Sequence, residues 1–363
     1  MVGAAIPLIG ELSFAATTQS LHAKRHGGPI RLNMNENAYG PSERAKVAIR
    51  DSLGLLNRYP DSADALVGRI ASLHAVKPEQ VVVGRGSIEI LRMAAATFLG
   101  PRKKLIVASP TFDPIADFAR SAGADVAMVP LSKQYAHDLD AMLTRVDAST
   151  GLVYICNPNN PTGSITPRKD LESFIRKLPA ATRVLIDEAY HHYAGTSSAY
   201  ASFIDRPVDD SRVIVTRTLS TIYGLAGLRL GYAIAASEPA QRLSSIRLPM
   251  DVSVLASRGG ATALDDNEHV SLSAQRNAND RQEFYNQANA RMLRVIDSHA
   301  NFVMLNTGGP AEAAIDHLKK NSILVAPTIP SMAKYIRVSL GKPHEMLEFW
   351  RVWDLMPHRH MAM

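Results

Sequence analysis

Short, uninterrupted apolar runs alternate with segments of helical pattern from about residue 44 to residue 235. The runs have the length of strands and most stop at Gly, Pro, Asn or Asp, which is typical of strands buried on both faces of a sheet. Seven strands are predicted, at residues 81–83, 104–108, 124–130, 152–156, 183–186, 212–216 and 230–235. Their alternation with helices predicts an open, mainly parallel α/β sheet that is covered on both faces.

The pattern changes after Pro249, where strands no longer alternate regularly with helices. A long polar segment, rich in Arg and Asn, predicts a helix over residues 257–295. It is followed by a predicted strand at 301–305, a helix at 311–319 and short strands near Ile323 and Ile336. This α+β layout predicts a second, smaller domain. We therefore divide the chain into an N-terminal arm that joins the small domain (1–41), a large domain (42–250) and a small C-terminal domain (251–363).

Composition and charge exclude several classes of protein. The 363 residues are 46% hydrophobic and 20% charged, as in a globular protein of two or three domains, and no apolar run reaches the ~20 residues of a membrane helix. The single cysteine, Cys156, excludes a disulfide framework and a cysteine-based zinc site, and no metal site is predicted. The formal charge of +6 is scattered rather than clustered, so we expect a small anionic ligand instead of nucleic acid.

The first 25 residues include a short apolar stretch at 4–10, but no Lys or Arg precedes Lys24. A secretion signal carries positive charge before its apolar region. The stretch is therefore interpreted as an N-terminal arm of a cytoplasmic protein, with the remnant of a secretion signal as the alternative.

Polar residues directly after the predicted strands are the candidates for function, because ligands of such sheets bind beyond the carboxyl ends of the strands. The turn Gly84-Arg85-Gly86-Ser87 leads into a helix whose free N–H groups suit an anion, although such glycines also serve ordinary turns. Asp187 ends an apolar strand and needs a cationic or protonated partner above the sheet, or else an arginine of the fold. Thr218, Ser220 and Arg229 together suit a phosphate.

The whole set resembles the fold-type-I pyridoxal-phosphate aminotransferases and is most similar to their histidinol-phosphate aminotransferase branch. Nine motifs occur in family order between about residues 30 and 341. They are Asn35-Glu36-Asn37-Ala38-Tyr39-Gly40-Pro41-Ser42, Arg58-Tyr59-Pro60-Asp61, Gly84-Arg85-Gly86-Ser87, Pro110-Thr111-Phe112, residues 157–163, Asp187-Glu188-Ala189-Tyr190, residues 218–232, Ala300-Asn301-Phe302 and Ile336-Arg337-Val338-Ser339. Any one motif is weak, but nine in order are specific.

The resemblance implies a role for each matching residue. The phosphate of pyridoxal 5'-phosphate, or of its pyridoxamine form, would be held by Gly86, Ser87, Ile88, Thr218, Ser220 and Arg229, and by Tyr59 of a second subunit in a homodimer. Phe112 would stack on the pyridine ring, and Asp187 would pair with the ring nitrogen. Asn160 and Tyr190 would hydrogen-bond the phenolic oxygen. Arg337 would hold a substrate anion, and Tyr39 would line the pocket for an amino-acid or keto-acid substrate.

The chain departs from the family at the Schiff-base lysine, which directly follows the serine of its motif. The corresponding pair here is Ser220-Thr221, and no lysine occurs between Lys177 and Lys319. A threonine cannot form the covalent bond to the cofactor, nor can its hydroxyl shuttle a proton near neutral pH. His191 and His192 are the nearest candidates for a proton carrier.

Three explanations remain open for Thr221. The protein could be a natural relative that lost the lysine and binds the cofactor non-covalently, an engineered variant that traps an adduct, or a weakly active transaminase that uses a free amine. Two other functions also remain open: a lyase or cyclase on the same scaffold, and a non-catalytic protein that binds the cofactor or its amino-acid adduct.

A second departure concerns the substrate. The histidinol-phosphate branch usually has an arginine after the valine of a late strand, where it helps to hold the substrate phosphate. Here Val325 is followed by Ala326. The loss of one cation weakens the case for a phosphorylated substrate and makes an α-amino acid, with its carboxylate on Arg337, equally suitable. Ala38 also replaces a proline that is common in the family.

Overall fold

The computed structural model describes residues 28–60, 63–195 and 197–357. The strands are β1 Ile30–Leu32, β2 Val81–Gly84, β3 Lys104–Ser109, β4 Asp125–Pro130, β5 Thr150–Cys156, β6 Arg183–Asp187, β7 Val213–Thr218, β8 Gly231–Ala235, β9 Val295–Ile296, β10 Phe302–Asn306, β11 Ile323–Val325 and β12 Tyr335–Ser339. The helices are α1 Glu43–Asp51, α2 Asp64–His74, α3 Ser87–Phe98, α4 Pro114–Ser121, α5 Leu139–Leu143, α6 Arg168–Lys177, α7 His191–Ala194, α8 Ser237–Ser244, α9 Val254–Leu264, α10 Asn267–Ala290, α11 Ala311–Lys320 and α12 Pro343–Asp354.

The largest sheet has seven strands in the order β2-β8-β7-β6-β5-β3-β4. All seven predicted strands are present, with ends within two residues of the prediction, so the α/β fold class is confirmed. Only β8 runs antiparallel to its neighbours in this sheet. The link from β7 to β8 holds no α-helix, only a three-residue 3-10 turn at Ala226–Leu228. Because a parallel pair needs a long crossover, the chain returns beside β7 in the opposite direction.

Apolar layers cover both faces of this sheet. The alternation along β5 separates them, since Val153 and Ile155 join one core cluster whereas Leu152 and Tyr154 join the other. The first layer packs against α2, α6 and α9, and the second against α3, α4 and α8. Strands that are buried on both faces explain why the runs read as continuous rather than alternating in the sequence.

The remaining elements form a smaller α+β region. Strand β10 pairs antiparallel with β9 and β12, while β1 near the N-terminus pairs in parallel with β11. The final helix, α12, packs Phe349 and Trp350 against Phe284 of α10, and Trp353 packs on both of these α12 rings. The domain boundaries after residues 41 and 250 stay a prediction.

The single helix predicted over residues 257–295 is wrong in its extent. The chain instead forms α9 and α10, which are separated at Asp265 and Asp266. The Asp266 side chain accepts a hydrogen bond from the N–H of His269 and thereby starts a new helix. Helix α10 ends at Ala290, and β9 then begins at Val295.

Within the described ranges, no helix combines the length and the hydrophobicity that crossing a bilayer requires. The apolar stretch at residues 4–10 lies outside the described residues. The interpretation of this stretch, and with it the cytoplasmic location, therefore stays a prediction.

Candidate active site

Three strand ends meet at one edge of the seven-stranded sheet. Gly84 at the end of β2 and Thr218 at the end of β7 both pair with Gly231, the first residue of β8. Because β8 runs against its neighbours, its beginning lies where theirs finish. This register brings the turn at residues 84–87 against the loop at residues 219–230.

The N-terminus of α3 forms a cradle at this junction. Gly86 precedes the helix with a φ of +83°, and a Cβ added there would lie 2.6 Å from Nη2 of Arg229. Glycine is therefore required both by the backbone conformation and by the space. No side chain caps the first turn, which leaves the N–H groups at Ser87 and Ile88 beside the Arg229 guanidinium. Helix N–H groups next to an arginine form a site suited to an anion.

Two hydroxyls complete the cradle. The Arg229 Nη1 donates to Ser220 Oγ at 3.4 Å, and the Ser220 N–H donates to Thr218 Oγ1 at 3.1 Å. Arg229 itself is exposed and also donates to the carbonyl of Ala226 at 2.8 Å. The predicted phosphate ligands of two separate chain segments therefore lie together. Ser220 also lines an open cleft of about 350 Å³ between its loop and the N-terminal segment that contains Ala38.

Asp187 is a buried carboxylate at the end of β6. Only 2% of its surface is exposed, and it accepts hydrogen bonds from the Tyr154 hydroxyl at 2.9 Å and the Ala189 N–H at 3.1 Å. No cationic side chain among the described residues lies within ion-pair distance of it. Burial raises the pKa of Asp187 to about 6. The acid thus lacks the cation that would favour its charged form.

The next acid along the chain, Glu188, does pair with an arginine. Arg217 on β7 forms a buried ion pair with Glu188, with Nη2 3.1 Å from Oε2. Glu188 also accepts from the Ser202 hydroxyl and the Phe203 N–H, both at 2.7 Å. Glu188 is therefore a structural ion-pair partner, and the alternative of a salt bridge at Asp187 is wrong.

A network of amides surrounds the Tyr190 hydroxyl. Its oxygen accepts hydrogen bonds from Nδ2 of Asn35 at 3.0 Å and from Nδ2 of Asn160 at 3.3 Å. The Asn160 Oδ1 in turn accepts from Nη1 of Arg337 at 2.6 Å, and the Arg337 Nη2 donates to the Asn33 carbonyl at 2.9 Å. Burial raises the pKa of Tyr190 above its usual range. Four segments that are far apart in sequence therefore meet at one phenol.

Arg337 retains a donor without a partner. Its Nε is buried and has no hydrogen-bond partner in the part of the chain that the structure describes. Burial also lowers the pKa of this guanidinium. A ligand carboxylate would supply both the acceptor and the negative charge that this arginine lacks.

The two predicted aromatic residues occupy different settings. Phe112 is half-buried and packs on the apolar layer beneath α3 and α4. Tyr39 donates its hydroxyl to Asp280 on α10 at 3.0 Å, and Arg276 lies 4.9 Å from the centre of its ring. Burial and the bond to Asp280 raise the pKa of Tyr39 to about 12. Its hydroxyl is thus engaged by α10, and its contact with substrate stays a prediction.

Comparison with known proteins identifies the family. The model for "Aminotransferase class I and II" matches residues 28–351. The histidinol-phosphate aminotransferase of Caldicellulosiruptor saccharolyticus is 37% identical over 88% of this chain and 89% of its own length. That of Bacillus subtilis is 34% identical over 86% and 87%.

The chain belongs to the class I and II aminotransferases. These are pyridoxal-phosphate-dependent transaminases, and within them the chain is similar to the histidinol-phosphate aminotransferases. The predicted family and enzyme class are confirmed.

Solved structures agree with this family assignment. The histidinol-phosphate aminotransferase of Sinorhizobium meliloti, in complex with pyridoxal-5'-phosphate, has a TM-score of 0.84 at 26% identity over 90% of this chain and 92% of that chain. Aspartate aminotransferase from Thermus thermophilus with maleate has a TM-score of 0.80 at 20% identity over 91% and 92%, and therefore supports the fold alone.

Thr221, whose correspondence to the family's lysine stays a prediction, directly follows Ser220. It is 6% exposed, and its Oγ1 donates to the carbonyl of Ala189 at 2.8 Å. Tyr59, the residue predicted to reach a second subunit, is 86% exposed. Its role across a dimer interface stays a prediction.

Sequence reasoning missed two residues that contact the candidate site. Tyr154 donates its hydroxyl to Asp187. The sequence clue to this contact is a tyrosine on a buried strand, two residues before Cys156, which pairs with Asp187 in the sheet. Asn35 binds Tyr190, and it was noted only as part of a motif. Its φ of +55° is a local signal of a special position, but this angle is visible only in the structure.

His191 and His192 are half-buried and contact tyrosines other than Tyr190. The Nδ1 of His191 contacts the Tyr200 hydroxyl at 3.2 Å, and the Nε2 of His192 contacts the Tyr223 hydroxyl at 3.4 Å. Burial, and next the nearby Arg217, lower the pKa of His192 to about 3 and that of His191 further. Imidazoles that stay neutral here are poor proton carriers at working pH, so their candidacy is not supported.

The same effect of burial predicts a loss of stability in acid. Burial, and next Arg217, lower the pKa of His74 to about 4. Between pH 6.5 and pH 4 the unfolded chain takes up this proton and the folded chain does not, so stability falls as pH falls. The original protein should lose free energy of unfolding when the pH falls from 7.5 to 4.5. In His74→Gln, which cannot take up this proton, the fall should be smaller by about 1–2 kcal/mol, as measured by urea titrations at the two pH values. The exposed His344→Gln variant is the control, and equal pH dependence of the two variants would contradict the assignment.

Proposed function

We propose that this aminotransferase-family protein binds pyridoxal 5'-phosphate or pyridoxamine 5'-phosphate without a covalent bond to residue 221. Its pocket accepts an amino acid or amino-phosphate, and transamination by this sequence is severely impaired. The observation that carries the proposal is the buried Asp187, which has no cationic partner in the described structure. The resemblance implies that such an acid pairs with the ring nitrogen of the cofactor. The Gly86 cradle and the unpaired Nε of Arg337 support it, since the first suits a phosphate and the second a carboxylate.

Each residue then has a definite task. When bound, the coenzyme supplies an electron-withdrawing ring and a carbon that exchanges nitrogen with the substrate. Asp187, with its pKa raised to about 6, would hold a proton on the ring nitrogen. Asn160 and Tyr190 would orient the phenolic oxygen, while Phe112 would pack on the ring face. Gly86, Ser87, Ile88, Thr218, Ser220 and Arg229 would bind the phosphate.

The substrate class follows from the cations of the pocket. Arg337 would hold a carboxylate, because it is fixed on one side by Asn160 and Asn33 and keeps one unpaired donor. The resemblance implies a second arginine at position 326, but the residue here is Ala326, which contributes only a methyl group. Ala326 is buried, and its N–H donates to the Arg337 carbonyl at 3.2 Å. Without a second arginine at position 326, Arg337 favours an amino acid over an amino-phosphate.

A specific observation favours a second candidate function, the storage or sensing of a cofactor–amino-acid adduct. The Thr221 hydroxyl already donates its one proton to Ala189. It is therefore not available as an acid for a bound substrate. The two candidate functions differ in turnover. An impaired transaminase shows slow multiple turnover with an amino donor and a keto acid, whereas a binding protein shows none.

The role of Asp187 is tested by Asp187→Asn. Losing the charge-assisted hydrogen bond should weaken pyridoxamine-phosphate binding by roughly 10–100-fold in calorimetric titrations. The free energy of unfolding should stay within about 1 kcal/mol of the original or rise, because a neutral amide is cheaper to bury than an acid whose pKa is raised. The exposed Asp125→Asn variant controls for net charge. Unchanged affinity of Asp187→Asn would contradict the proposal.

Thr221→Lys tests the missing covalent bond. After borohydride reduction with pyridoxal phosphate, intact mass spectrometry should show a covalent adduct on this variant and none on residue 221 of the unaltered protein. Amino transfer should rise by on the order of 10³ or more across a panel of amino acids. Thr221→Met, which has a long side chain without an amine, is the matched control. Equal multiple turnover by the threonine and lysine forms would contradict the impaired mechanism.

A homodimer is part of the proposal. Tyr59 and the nearby Leu53 and Leu56 are 86%, 48% and 62% exposed, which is unusual for three large side chains on one segment. A second copy that covers them would remove their apolar surface from water. Sedimentation equilibrium should give twice the 39.4 kDa chain mass, and pyridoxamine-phosphate affinity should fall in Tyr59→Ala. A monomer that binds the cofactor with full affinity would contradict this part of the proposal.

A further inference from the structure

The peptide between Asp187 and Tyr190 is held from two sides. The N–H of Ala189 donates to Oδ1 of Asp187 at 3.1 Å, and the carbonyl of Ala189 accepts from Oγ1 of Thr221 at 2.8 Å. That carbonyl belongs to the peptide unit that leads directly into Tyr190. The Thr221 hydroxyl therefore fixes the backbone from which the Tyr190 side chain extends to Asn35 and Asn160.

Thr221 is itself firmly placed. Its own carbonyl accepts from the Gly224 N–H at 2.9 Å, and the next carbonyl, that of Ile222, accepts from Nδ2 of Asn37 at 2.9 Å. The loop before it is tied to β8, since the Leu219 N–H donates to the Leu230 carbonyl at 3.0 Å. A side chain anchored in this way can transmit the position of its loop to a neighbouring strand end.

The chemistry of the side chain limits what else it does. A hydroxyl has one proton to donate, and here the Ala189 carbonyl accepts it. A lysine at this position could not both make this short contact and extend to a cofactor. The γ-hydroxyl of Thr221 therefore makes a contact of its own, in addition to replacing an amine.

We infer that Thr221 is a positioning residue that aligns Tyr190 and Asp187 for a non-covalently held cofactor through the Ala189 carbonyl. This inference rests on the proposed function, because it concerns the same pyridoxal- or pyridoxamine-phosphate pocket. It assigns residue 221 a role in binding that is independent of covalent chemistry.

The experiment compares four forms of the full-length protein with pyridoxamine phosphate as the probe, since this ligand has no aldehyde to react with a lysine. Thr221→Val keeps the shape and removes the hydroxyl, Thr221→Ser keeps the hydroxyl, and Thr221→Ala differs from the serine form by one oxygen. Dissociation constants are measured by calorimetry, melting temperatures without ligand are measured on the same samples, and the absorbance band of bound pyridoxal phosphate is recorded.

The valine and alanine forms should bind about tenfold more weakly, because the Ala189 carbonyl loses its side-chain donor. The serine form should bind within about twofold of the original, and its absorbance band should match that of the original, whereas the band of the other two forms shifts. If the valine form does not fold, the serine and alanine pair gives the same comparison.

Two other outcomes separate the claims. A fall in melting temperature with unchanged dissociation constants would mean that Thr221 only stabilises the fold, which overturns this inference and leaves the proposed function intact. Failure of the unaltered protein to bind pyridoxamine phosphate would defeat the proposed function and this inference with it.

Discussion

The site depends on one buried acid that the fold leaves without a cation. Asp187 closes β6 beneath the carboxyl edge of the sheet, where Tyr154 and Ala189 supply two hydrogen bonds but no positive charge. The adjacent Glu188, in contrast, pairs with Arg217. Because burial of a charge is costly unless it is paired, this arrangement makes the pocket complementary to a ligand that carries a protonated nitrogen.

The reversal of β8 gives that acid its surroundings. An antiparallel strand places Gly231 beside Gly84 and Thr218, so that the cradle proposed to bind phosphate, around Gly86 and Arg229, forms at the same edge as Asp187. The N-terminal segment then crosses to the site, and Asn35 joins Tyr190 to Ser339 of the small sheet through hydrogen bonds. The proposed cofactor pocket and Arg337, the proposed substrate ligand, are thereby linked through a few side chains. The loop of Thr221 is tied to the same N-terminal segment, because the Ile222 carbonyl accepts from Asn37.

Much of this could be predicted from the sequence, because buried parallel strands are read directly as apolar runs and strand ends then point to the site. Asp187 followed from its place after such a run. Pairing direction did not follow, since the reversal of β8 depends on what the β7–β8 link contains. The break between α9 and α10 was missed because Asp266 lies in a segment whose composition is polar throughout. The contacts of Asn35 and Tyr154 were missed because they join residues far apart in sequence, which only packing reveals.

The most direct test of the account is a crystal structure of the unaltered protein with pyridoxamine phosphate. The account predicts density for the ligand with its ring nitrogen within hydrogen-bond distance of Asp187, its phosphate between Gly86 and Arg229, and no bond to residue 221. A pocket that stays empty at millimolar ligand, or a ligand whose ring nitrogen faces away from Asp187, would contradict it.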